Sequence, residues 1–154
     1  DGVLKGDKYT ILDTRTDNFD FALAKSRAED AIAKYPNVGC MVGLFAYNPP
    51  NILEAVKGAG KTDQIKVVAF DEDDRTLQAI KDGDCYGTIV QNPYQYGYKS
   101  VELLTKLATG DQSVLPEGGF VDIPARAIRS DNVDEFWSEL KSLTGADETG
   151  AETK

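Results

Sequence analysis

The run "KVVAFDEDDRT", Lys66 to Thr76, sets four consecutive acids directly behind an apolar stretch. Acids so placed could hold a divalent cation, or Asp71 could attack phosphorus with Asp73 assisting. They could equally serve a helix start, where carboxylates cap free N–H groups and favour the dipole, each by about 0.3–1 kcal/mol. Four adjacent residues on a turn entering a helix cannot all point inward, which weighs against a metal cluster. Glu72, Asp73 and Asp74 are therefore expected to be helix-start acids. Asp71 is different: it is the first residue past the apolar run and sits next to Phe70, so it is expected to bind a ligand.

Other chemistry-bearing residues are sparse. The pattern of strand followed by Asp71-x-Asp73 resembles the haloacid-dehalogenase phosphatases, which implies an aspartyl nucleophile and Mg²⁺. That family expects Thr at the fourth position after the nucleophile, where this chain has Arg75, and its motif lies on the first strand. Histidine is absent, which removes His-based triads, His metal sites and the usual proton shuttle near neutral pH. Cys40 and Cys85 form no CxxC and read as small apolar residues. "GAGKT" (58–62) looks like a phosphate loop, but Ala55 stands where the first Gly is required and the run follows a helix. "PEGGF" (116–120) is a turn with no helix behind it. Tyr94, Tyr96 and Tyr98 could form an aromatic platform for bases, yet helix packing fits them better in so acidic a chain.

These residues belong to a chain of 154 residues, long enough for one domain with a proper core. The net charge of −9 argues against nucleic acid as a partner, because phosphate binding needs a positive surface. No uninterrupted apolar run approaches the length that spans a bilayer. The opening "DGVLKGDK" has no initiator Met and reads like the last turns of a helix already in progress, so a fragment is expected.

The elements that must position the candidates alternate in type. "KYTILDT" (8–14) reads as a strand. "FDFALAKSRAEDAIAKYP" carries Phe21, Ala24, Ala28, Ala31 and Tyr35 at helical spacing, with Asp17 or Asn18 as N-cap and Pro36 as stop. "VGCMVGLFA" (38–46) reads as a strand buried on both faces. A helix opens near Pro50 and ends at Gly58 or Gly60. "IKVVAF" (65–70) is a further buried strand, "DDRTLQAIKDG" a helix closed by Gly83, "CYGTIVQ" (85–91) a fourth strand and "YQYGYKSVELLTKLATG" a fourth helix. "DQSVLPEGGF" is a loop, "VDIPARAI" a short extended piece, and "DNVDEFWSELKSL" an amphipathic helix with Val133, Phe136, Trp137 and Leu140 on one face. The polar tail 145–154 is expected to be disordered.

Such alternation with short connections implies an α/β fold: a doubly wound parallel sheet in three α/β/α layers, with right-handed crossovers. Ligands in open sheets of this kind sit beyond the carboxyl ends of the strands. The strand ends offer Arg15, Phe19, Asn48, Phe70, Asp71 and Gln91. Amides, one carboxylate and aromatic rings suit an uncharged polyhydroxylated ligand: the oxygens accept hydroxyl hydrogens, amide nitrogens donate, and rings cover C–H faces. No nucleophile with an adjacent base is among them, so the set suits holding better than reacting.

In ordered succession, "RTDNFDFALAKSRAEDAIAKYPNV", "FAYNPPNILEAVKGAGK", "KVVAFDED", "AIKDGDCYGTIVQNPYQYGY" and "LLTKLATGD" resemble the ribose-type periplasmic sugar-binding proteins of ABC transporters. Their relatives, the effector domains of LacI-type repressors, are similar too. The later "VDIPARAIRSDNVDEF" resembles the family's closing segment. The resemblance implies ligand-binding roles for Asn48, Asp71, Phe70 and Gln91, with Phe19 covering one face of the sugar. One departure is Pro49–Pro50 behind Asn48, where the family usually has an acid and then a small or apolar residue; the turn is stiffer here. It also implies one lobe of a two-lobed protein: 1–91 as the carboxyl-terminal lobe without its first strand, 92–120 as hinge crossover and helix, 121–144 as return strand and closing helix. The stripe Tyr94, Tyr98, Val101, Leu104 and Ala108 is then expected to pack on an amino-terminal lobe, in a separate chain or replaced by self-association.

The function so implied is capture of a monosaccharide or polyol for delivery to a membrane permease, in the periplasm or another extracytoplasmic space, with no catalysis, cofactor or metal. The alternative is the effector-binding domain of a LacI-type repressor.

Overall fold

A computed structural model of the chain describes residues 9–145. Four strands form one sheet in the order β1 (Cys40–Val42), β2 (Lys66–Phe70), β3 (Gly87–Val90) and β4 (Arg126–Ile128). The first two pairings are parallel and the third antiparallel. Helix α1 (Phe21–Lys34) precedes β1, α2 (Asn48–Gly58) and α3 (Asp74–Asp82) are the crossovers, and α4 (Pro93–Ala108) and α5 (Val133–Thr144) flank β4 in sequence. The α/β class with a parallel ladder and crossover helices is the one expected from the alternation of periodicities.

Local chemistry sets the helix ends. Asp73 caps α3 by accepting from the Arg75 N–H at 2.9 Å, and Gly83 closes it in the left-handed region at φ 86°, where a Cβ would be strained. Pro49 and Pro50 occupy the first turn of α2, where a missing N–H costs nothing. The cap of α1 is Asp20, which accepts from the Leu23 N–H at 3.0 Å, and not Asp17 or Asn18 as expected. Asn18 and Phe19 lie at φ 52° and 61°, so the chain turns left-handed immediately before the helix and the cap moves past them. "GAGKT" is indeed a helix end: Gly58 closes α2, and Lys61 Nζ donates to the Pro36 carbonyl at 2.8 Å.

One hydrophobic cluster holds these elements. Ala28 and Ile32 of α1, Ile52, Ala55 and Val56 of α2, Leu77 and Ile80 of α3, and Val133 and Phe136 of α5 meet Val67, Ala69, Val90 and Ile128 of the sheet. Leu77 and Ile80 are fully buried, each worth roughly 1.5–3 kcal/mol. The strand members are every second residue, so α1, α2, α3 and α5 converge on one side. Strands that step in one direction, joined by right-handed crossovers, place successive crossover helices on the same side. The alternate row is Cys40, Val42, Val68, Phe70 and Ile89; it lies outside the cluster, with Cys40 and Val42 exposed and Val68, Phe70 and Ile89 half-buried.

That arrangement corrects two local expectations. Residues 38–46 were expected to form a strand buried on both faces; β1 is three residues long and exposes Cys40 and Val42, because it is the edge strand with one row uncovered. Residues 8–14 were expected to be a strand, but 9–14 are irregular and belong to no strand of the described sheet, and Lys8 lies outside the described residues. Helix α4 is also uncovered: it has no buried residue, and Tyr94, Tyr98, Val101 and Leu104 are each more than half exposed. Its tyrosines therefore do not pack into this core; Tyr94 and Tyr98 stack on each other at 6.4 Å. The expected opening helical turns and all of the expected tail except Gly145 lie outside the described residues. Among the described residues no helix is long and apolar enough to cross a membrane.

Candidate functional site

The parallel register brings the carboxyl ends of β1, β2 and β3 to one rim. Gly43 donates to the Val68 carbonyl at 3.0 Å, and Asp71 donates to the Ile89 carbonyl at 2.9 Å. Because Phe70 pairs with Ile89, Asp71 lies beside Val90, and Gln91 follows one residue later on the adjacent strand. Asp71 is one of three non-glycine residues with positive φ among the described residues; the others are Asn18 and Phe19. A left-handed conformation in such residues costs of order 1 kcal/mol, and here it bends the backbone sharply at the strand end. Thr88, fully buried on β3, secures that bend by donating its hydroxyl to the Asp71 carbonyl at 2.7 Å.

The acids behind Asp71 divide by role. Asp73 is the helix cap and pairs with Arg75 at 2.9 Å; these contacts hold its carboxyl below the ordinary range although burial opposes them. Asp74 lies in the first turn and accepts from Trp137 Nε1 at 2.9 Å. Both are engaged at the helix start, as helix-start acids should be. Glu72 differs from that expectation: it precedes the cap, is half-buried, and has its pKa pushed up by burial and then by the Asp71 charge. It belongs to the rim and not to the helix.

A second group assembles where the segment before α1 meets the turn between β1 and α2. Asn48 is the first residue of α2, and its side chain is held at both ends. The Phe45 N–H donates to Asn48 Oδ1 at 3.1 Å, and Asn48 Nδ2 donates to Asp17 Oδ2 at 2.6 Å. The Tyr47 hydroxyl donates to the other Asp17 oxygen at 2.5 Å, and the Phe19 N–H reaches the same oxygen at 3.1 Å. Burial pushes the Asp17 carboxyl up, but the bonds from Tyr47, Phe19 and Asn48 outweigh it and hold the group below its ordinary value. The Tyr47 phenol is raised, chiefly by its bond to Asp17. Around this carboxylate Phe19 lies 5.4 Å from Phe45 and 6.1 Å from Tyr47, while Phe21 meets Tyr47 edge-on at 4.8 Å. Phe19 stays 70% exposed, so a ring face remains open to a ligand.

Among the residues expected to bind, Asn48 and Phe19 are thus joined through Asp17, while Asp71 and Gln91 are neighbours across adjacent strand ends. Phe70 is half-buried on the sheet row opposite the helical core, and Gln91 is exposed. Arg15 is turned elsewhere. Its guanidinium donates to Asp13 at 3.1 Å and to the Arg27 carbonyl at 3.3 Å, and lies 3.6 Å from Asp30, against the flank of α1. The sequence did not single out Asp17, Phe45 and Tyr47, which the structure joins to Asn48 and Phe19. The aromatic spacing of "FAYN" carried a signal, since two rings at a strand end have no core to enter, whereas Asp17 was absorbed into the search for a helix cap.

The chain is similar to known proteins. The model of the periplasmic binding protein domain matches residues 1–112. The ribose import binding protein RbsB of Salmonella typhimurium is 32% identical over 108 residues, which is 68% of this chain and 35% of that protein. AraP, an arabinose-binding protein from Geobacillus stearothermophilus, superposes with a TM-score of 0.65 at 29% identity, over 76% of this chain and 42% of its own. An ABC transporter solute-binding protein from Agrobacterium vitis, bound with α-D-tagatopyranose, superposes with a TM-score of 0.70 at 26% identity, over 80% of this chain and 40% of its own. The chain therefore spans only about 35–42% of the length of these relatives. With its parallel sheet, its rim of strand ends and a family match over most of its length, the chain belongs to the periplasmic binding protein domain family.

Proposed function

We propose that this chain is the carboxyl-terminal lobe of a solute-binding protein that captures a monosaccharide or related polyol and delivers it to an ABC-type permease outside the cytoplasm. The observation that carries the reading is the common rim: Asp71 and Gln91 directly follow adjacent parallel strands, Gln91 one residue further along, and an exposed ring, Phe19, is linked through Asp17 to Asn48 beyond the exit of the neighbouring strand. Carboxylate and amide oxygens accept sugar hydroxyls, amide N–H groups donate to them, and Phe19 and Phe70 offer faces for C–H stacking. Nothing in this set needs to react. Relatives named for ribose and arabinose, and one bound with α-D-tagatopyranose, support a small sugar as the class of ligand.

Half a clamp holds a sugar weakly, and the exposed stripe of Tyr94, Tyr98, Val101 and Leu104 on α4 is where an amino-terminal lobe would pack. Residues 92–120 would then be the hinge crossover. Binding energy would be used to shift the two-lobed protein toward a closed form that the permease recognises. Calorimetry of the two-lobed protein with D-ribose, L-arabinose, D-fucose and D-tagatose tests the reading. At least one should bind, and Asp71→Ala should weaken it by about 1.5–3 kcal/mol, the worth of hydrogen bonds to a charged group. Unchanged affinity in that variant refutes the site.

A further inference from the structure

We infer that Asp17 is a positioning residue of the sugar site: its one carboxylate takes hydrogen bonds from the Phe19 N–H, the Tyr47 hydroxyl and the Asn48 amide and so fixes all three against one another. The inference rests on the sugar-site reading and adds to it a residue that would not itself touch the ligand. Tyr47 and Asn48 lie 30 and 31 residues from Asp17, so the contact ties two separate loops together. Only the bond to Phe19 is a local turn.

The consequence for Asn48 is chemical. A side-chain amide has two donors and one acceptor oxygen, and rotation by 180° exchanges them. Here the carboxylate claims one N–H, and the Phe45 N–H claims one lone pair of Oδ1. In the flipped amide, oxygen would face a carboxylate and N–H would face N–H, both repulsive. Asn48 is therefore held in one orientation with one N–H and one lone pair left, enough to donate to one sugar oxygen and accept from one hydroxyl. Tyr47 is anchored by the same group, and its ring in turn meets Phe21 edge-on and lies nearly parallel to Phe45 at 6.4 Å. Phe19 is secured at a φ of 61° that a bulky residue rarely adopts unaided. Pre-organisation of this kind raises affinity by removing ordering costs at binding.

The test is a double-mutant cycle in the two-lobed protein, read by calorimetry with the best-bound sugar of D-ribose, L-arabinose, D-fucose and D-tagatose. Asp17→Ala and Asn48→Ala should each weaken binding about tenfold, and the double variant should lose clearly less than the product of the two, because only what Asp17 does through Phe19 and Tyr47 remains once Asn48 is gone. Asp17→Asn, which keeps the size but sets an amide against an amide, should lose as much as Asp17→Ala while retaining a cooperative melt. Fully multiplicative losses, or normal binding by both Asp17 variants beside a weakened Asn48→Ala, overturn the inference alone. Normal binding by Asn48→Ala removes the site reading and the inference with it.

Discussion

Gly43 is where the fold and the site can be perturbed together. It follows β1 directly, and a Cβ added there would lie 2.8 Å from both Cδ and the backbone nitrogen of Pro49, and 2.9 Å from Cγ. Carbon atoms in favourable contact stand about 3.5–4.0 Å apart, so about an ångström has to be found. Pro49 is buried, its ring is rigid, and its nitrogen is part of the first turn of α2, so relief requires moving that turn or bending the exit of β1. Overpacking of this kind costs about 1–3 kcal/mol, which at about 3 °C per kcal/mol for a chain this size lowers the melting temperature by about 3–9 °C. Gly39→Ala is the comparator: it lies just before the same strand, and its Cβ would meet nothing within 4 Å. It should stay within about 0.5 kcal/mol of the parent. Urea unfolding followed by Trp137 fluorescence gives both values. Because Asn48 immediately precedes Pro49, Gly43→Ala should also lose sugar affinity in the two-lobed protein, and Gly39→Ala should not. Equal stability of the two variants within 0.5 kcal/mol refutes the claim that strand exit and helix start are in contact.

Gly87→Ala should be more damaging, because its Cβ would sit 2.6 Å from the Ile128 carbonyl oxygen, a backbone atom of β4 that no rotamer change can move. Amide exchange should show loss of protection at the β3–β4 pairing, and full protection there would contradict the clash. For pH, Asp73 is held low by Arg75, and Asp17 is held low by its three donors against the pull of burial. A carboxyl with a depressed folded pKa stabilises above its unfolded value and loses that contribution as pH falls through the folded one. Stability should therefore decline below about pH 4, less steeply in Asp73→Asn; identical acid profiles for parent and variant would count against it.

The order of elements was legible because each announces itself within a few residues. The Pro49–Pro50 pair opens α2, Gly83 closes α3, and the short apolar run that forms β2 stops where the acids begin. Layering was not legible. An apolar run such as "GCMVGL" reads the same whether its second face is covered or bare, because composition records what a residue tolerates and not what lies opposite it. Residues 9–14 show the same limit: their pattern suits a strand, but a strand exists only with a partner, and periodicity carries no information about which segment lies alongside.

The site divides along a similar line. Asp71 and Gln91 could be found by rule, since both are the first residues beyond adjacent strands that end at one rim, Gln91 one residue further along than Asp71. Asp17 could not, because its meaning depends on which of three polar residues caps α1. Asp17, Asn18 and Asp20 are all good caps by type. The choice is made by Asn18 and Phe19, whose left-handed backbone delays the helix and gives the cap to Asp20. That displacement leaves Asp17 outside the helix, where it can reach Tyr47 and Asn48. The same turn carries Phe19 out of the helix, leaving its ring exposed beside Phe45 and Tyr47. The strain at Phe19 and the freedom of Asp17 thus have one cause, and the hydrogen bond from Phe19 to Asp17 is what makes the strained turn tenable.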